Sequence, residues 1–145
     1  MLGHMIRVIT IIAFALILVG CGGTYVDDKH NFERALQFSR PNDVQVVHSV
    51  YWQSAHFTDE HCFYLELLPA AGSSIFKTLT TTNDIALMTD EQQEILPSLI
   101  LERPKWFAPK SRESYEVWAS TNQFTQFGLL RDKSDGRLFV YGQIL

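Results

Sequence analysis

Three runs near the end of the chain decide the fold: Tyr-Glu-Val-Trp-Ala at residues 115–119, Phe-Thr-Gln-Phe-Gly-Leu-Leu at 124–130 and Leu-Phe-Val-Tyr-Gly-Gln-Ile at 138–144. Each is short, free of proline and rich in aromatic and aliphatic residues, which suits a pleated, half-buried surface. The last two are joined by Asp132-Lys133-Ser134-Asp135-Gly136. Its Asp-Gly pair supplies the turn chemistry of a hairpin loop. The pattern predicts a C-terminal three-stranded β-meander.

Working back from the meander, residues 103–114 are an irregular connection punctuated by Pro104 and Pro109. Thr89-Asp90-Glu91-Gln92 has capping-box spacing, so a short helix is predicted over 90–96, limited by Pro97. Residues 75–80 carry Thr78 and Thr80 and continue into Thr81 and Thr82. Threonine favours extension, and a strand is predicted there. Residues 44–53 and 61–68, separated by a short polar loop, read as a β-hairpin closed by Pro69. Strict alternation over 44–53 would place Val44, Val46, His48, Val50 and Trp52 on one face. Residues 31–40 read as one short helix with Asn31 as N-cap and Pro41 as terminator. The sum is an α+β domain of about six strands, mostly antiparallel, with one or two short helices covering one face. The alternative is an all-β sandwich or barrel with the helices as decoration.

The first residues have a different character. Arg7 precedes an apolar run from Val8 to Val19, interrupted only by Thr10. A spanning helix needs about 20 apolar residues, whereas a shorter run suits a secretory signal. The run ends Leu18-Val19-Gly20-Cys21. Those four residues resemble the lipobox of bacterial lipoproteins. The resemblance implies cleavage between Gly20 and Cys21 and acylation of Cys21, which would anchor the chain to a membrane without a spanning helix. It also implies transfer to the outer membrane, because Gly22 follows the cysteine where an Asp marks inner-membrane retention. The expected organisation is a signal peptide at 1–20, a tether at 21–31 and one globular domain at 32–145. At about 3.5 Å per residue such a tether reaches roughly 35 Å.

All aromatic residues but Phe14 lie beyond residue 20, enough for a packed core. Charge is unevenly placed. Residues 21–102 carry 12 acidic and 4 basic side chains, whereas 103–145 carry 4 acidic and 7 basic ones. The acidic total argues against general nucleic-acid affinity. With Cys21 acylated, Cys62 has no partner in its own chain, and its apolar neighbours predict a buried thiol.

Two stretches carry candidate chemistry. The first, His56-Phe57-Thr58-Asp59-Glu60-His61-Cys62, holds every common zinc-ligand type. Its spacing is not that of a helical His-Glu-x-x-His site, and Cys62 alternates away from His61 on a strand. His56, Asp59 and His61 form the weak metal alternative. The second is Arg103-Pro104-Lys105-Trp106-Phe107-Ala108-Pro109-Lys110-Ser111-Arg112. Four cations, Arg103, Lys105, Lys110 and Arg112, surround Trp106 and Phe107. Such a segment suits anionic head groups, glycan strands or an acidic partner; alternatively, the two rings plug the core beneath a loop. Neither a nucleophile elbow nor a phosphate-binding glycine loop is present, and no cofactor is expected. The functional expectation is a non-catalytic envelope lipoprotein that binds another protein, as an assembly component or an immunity- or inhibitor-type module. The alternative is a small periplasmic hydrolase or metal-binding protein built on the His56–Cys62 loop.

Overall fold

The computed structural model describes residues 22–55, 60–89, 99–120 and 126–144. Its elements in chain order are β1 (Gly23–Val26), α1 (Asn31–Leu36), β2 (Val44–Gln53), β3 (His61–Pro69), α2 (Ile75–Thr82), β4 (Ile85–Leu87), β5 (Tyr115–Ser120), β6 (Gln126–Asp132) and β7 (Leu138–Ile144). All seven strands join one sheet in the order β1-β2-β3-β7-β6-β5-β4. Every described pairing is antiparallel. The α+β class, the helices on one face and the C-terminal meander β5-β6-β7 are as the sequence predicts.

Both faces of the sheet are covered. On one, Phe63, Leu65, Leu129, Leu138 and Val140 meet Phe32 and Leu36 of α1 and Ile75 and Leu79 of α2. On the other, Tyr64, Tyr115, Leu130, Phe139 and Tyr141 meet Phe107 and Ala108 from the irregular connection. Burial on both sides explains why residues 61–67 of β3 are all buried. Each such apolar side chain contributes on the order of 1.5–3 kcal/mol relative to exposure.

Several local expectations are corrected. Residues 75–82 form helix α2 rather than a strand. Ile75 and Leu79, one turn apart, are 1% and 0% exposed, and this burial overrides the intrinsic preference of threonine. Thr78 donates its hydroxyl to Ser74 O, and Thr80 and Thr81 donate theirs to Lys77 O, so the outward threonines satisfy themselves on the helix. Helix α1 stops at Leu36, because Gln37 takes a left-handed conformation at φ 59° and closes it. Asn31 is its first helical residue, not its cap. Its buried amide donates to Tyr25 O and Ser49 Oγ.

Strand β2 does not alternate throughout. A bulge between Val46 and His48 shifts the register, so Val46 stays with the helix-side core while His48 turns to the opposite face. The expected tether is also corrected. Residues 23–26 are edge strand β1, in register with Val50 to Gln53, and Asp27 accepts the Ser49 amide. Strand β4 has no counterpart in the sequence reading. The predicted helix at 90–96 lies outside the described residues, as does Cys21. Among the described residues, no helix is long and apolar enough to cross a membrane.

Candidate functional site: a cationic cleft on one face of the sheet

Residues 99–110 cross the sheet face opposite the helices, and their path is fixed by a few anchors. Phe107 is 2% exposed. Its ring packs edge-on against Tyr64, Phe139 and Tyr141 at centroid distances of 4.8, 5.6 and 6.1 Å. Aromatic pairs in this geometry contribute about 0.5–1.5 kcal/mol beyond their burial. Tyr64 donates its hydroxyl to Leu101 O at 3.1 Å, and Tyr115 Oη accepts the Lys110 amide at 3.1 Å. Burial pushes the Tyr64 and Tyr141 phenols up to about 12. Ala108 turns the chain at φ 46°, in the left-handed region.

Trp106 is half-buried and lies outside the Phe107 plug. It stacks on His48 at 5.4 Å and an interplanar angle of 29°. That contact exists because the β2 bulge brings His48 to this face. The two rings of the Trp106-Phe107 pair therefore divide: Phe107 belongs to the core, and Trp106 caps a histidine at the surface.

The four cations divide as well. Lys110 Nζ donates to Asp132 Oδ2 at 2.6 Å and to Ser134 Oγ at 2.9 Å. Asp132 is 3% exposed. Burial alone would raise its carboxyl, but hydrogen bonds from Lys110 and Ser134, with the Lys110 charge, bring it down to about 2. The same bond to Asp132 raises the Lys110 ammonium above its ordinary value. Arg112 begins a single 3₁₀ turn and is half-buried. Arg103 and Lys105 are exposed, and among the described residues neither forms an ion pair with a carboxylate.

All four cations line one cleft of about 570 Å³, floored by Phe107, Tyr115, Val117 and Leu130. The arrangement offers positive charge at the rim and apolar surface beneath, the recognition chemistry of an anionic, partly apolar ligand. Tyr115 and Val117 fall within the strand that the sequence predicts at 115–119. The buried Asp132 was not legible, since in the sequence it reads only as the start of a hairpin loop.

The second candidate stretch is only partly described. His56 and Asp59 lie outside the described residues. His61 is buried and stacks on Tyr51 at 5.7 Å. Cys62 is a free thiol with no exposed surface, and burial raises it above its ordinary value. It points to the sheet face opposite His61. Among the described residues, no group of three or more His, Cys, Asp or Glu side chains converges as a metal site.

No family model, curated protein or solved structure matches the chain.

Proposed function

We propose that the chain is a lipid-anchored protein of the bacterial envelope, held through Cys21 in the outer membrane, whose domain binds another protein in the cationic cleft. The supporting observation is the convergence of Arg103, Lys105, Lys110 and Arg112 on one cleft with an apolar floor. The partner is an acidic protein segment carrying an apolar or aromatic residue for the floor. The binding itself is non-catalytic. This fits an envelope-assembly component or an immunity- or inhibitor-type module, because either needs only a complementary surface.

Arg103 and Lys105 are the cations to test, since Lys110 is committed to Asp132. The experiment is cross-linking and affinity purification of the tagged, lipidated protein from native membranes, with Arg103→Glu/Lys105→Glu in parallel. Exposed ion pairs are each worth up to about 1 kcal/mol, and reversal adds repulsion. The double variant should therefore retain a captured partner about tenfold less well, at an unchanged melting temperature. Added salt should weaken the wild-type capture. Equal capture by both proteins would place binding elsewhere, and the absence of any partner would remove the reading.

A further inference from the structure

The chain is pinned to the domain right up to the anchor. Strand β1 begins at Gly23, paired with Gln53. Gly22 lies so close to the β2–β3 connection that a Cβ on it would collide with the backbone of Ser54 and Ala55. Cys21 is the next residue, one Cα–Cα step of about 3.8 Å from Gly22. No slack remains between an acylated Cys21 and the sheet.

The register defines which end of the sheet this is. Gly23 pairs with Gln53, Gln53 with His61, and His61 with Ile144. Ile144 is 45% exposed and Ile100 is 59% exposed, two of the four large apolar side chains that the described residues leave open. Ile100 is held at the same end, where its amide donates to the Gln143 side chain at 2.6 Å. The other two, Val26 and Leu87, sit on the two edge strands. Among the described residues, the turns at this end contribute Glu60 and Asp84, both acidic, and so offer no attraction to anionic head groups. The cleft is at the opposite end: Tyr115 begins β5 beside Asp132, the last residue of β6. Seven residues long, β6 separates the two ends by about 20 Å at ~3.3 Å per residue.

The geometry points to a membrane-contacting end. Ile100 and Ile144 enter the bilayer interface beside the acylated Cys21, and the strands stand away from the surface with the cationic cleft outermost. This inference rests on the lipid-anchor reading. It makes the occupant of the apolar end a lipid interface and removes the head groups as a ligand of the cleft.

The test uses the full, lipidated chain in vesicles of phosphatidylethanolamine and phosphatidylglycerol doped with a diazirine-bearing phospholipid. Photolysis is followed by peptide mapping. The intact mass is measured first: an unacylated Cys21 means that the anchor reading has failed, whatever the labelling. With Cys21 acylated, label should fall at Ile100 and Ile144 and spare residues 103–112. Because the contact is apolar, raising the salt should leave the pattern unchanged. Ile100→Glu should cut domain labelling at least threefold, and Ile144→Glu should do the same if it folds. Label concentrated on residues 103–112, spread evenly over the domain, or absent from it would overturn the inference. So would protection of Ile100 by a co-purifying protein.

Discussion

Phe107 and Asp132 hold the cleft in place, one by packing and one by charge. Truncation of Phe107 removes a ring that touches four others, so Phe107→Ala should destabilise the domain by about 3–5 kcal/mol, read as a lowered urea midpoint. Trp106→Ala removes the stack on a half-exposed His48 and an edge contact with Phe107; because Trp106 is only half-buried, it should cost less. Asp132 has a folded-state value of about 2 against an ordinary 3.8. A depressed carboxyl contributes stability that is complete above its unfolded value and is lost as pH falls through its folded value. The loss should therefore run between about pH 4 and pH 2. Asp132→Asn should lower the urea midpoint at neutral pH and flatten that acid limb; an unchanged limb would show that the Lys110 bond does not form. The four cations were legible as a cluster in the sequence. Their division into a committed Lys110 and the open Arg103 and Lys105 was not, because the dividing residue lies 22 positions away from Lys110 and no local pattern links the two.

Strands were more legible than helices, and the reason is physical. Strands β6 and β7 are covered on both faces, so they survive in the sequence as near-continuous apolar and aromatic runs. Helix α2 was hidden because only Ile75 and Leu79 are buried, and its threonines advertise a strand. The β2 bulge was hidden for a different reason: Val46, Val47 and His48 suit a strand in either register, and only the cores on the two faces decide between them. Where helix α1 ends, Gln37 takes a left-handed conformation that costs a side chain about 1 kcal/mol. Gln37→Gly should therefore raise stability by about 0.5–1 kcal/mol, less what the Gln37 bond to Arg34 O contributes. A chemical denaturation midpoint shifted upward would show it; a lowered one would mean that the side-chain bond outweighs the backbone strain.

At the scale of the whole molecule, the described residues place open isoleucines and acidic turns at one end of the strands and the cationic cleft toward the other. Gly22 matters to both readings of the N-terminus. Under the proposed lipid anchor it is the residue that would direct membrane sorting, and by packing on Ser54–Ala55 it admits no larger side chain. Gly22→Ala should loosen β1 without adding the charge that Gly22→Asp would bring, so comparing the two variants by melting temperature and membrane fractionation separates packing from sorting.

The order of strands in the sheet also has a temporal meaning. Strand β7 is the last of the described strands in the chain, yet it sits between β3 and β6. Until residues 138–144 arrive, β1-β2-β3 and β4-β5-β6 have no shared neighbour to join them. A chain threaded through a secretion channel from its N-terminus would thus carry two unjoined half-sheets. The sheet could close only once residues 138–144 had emerged to pair with both halves.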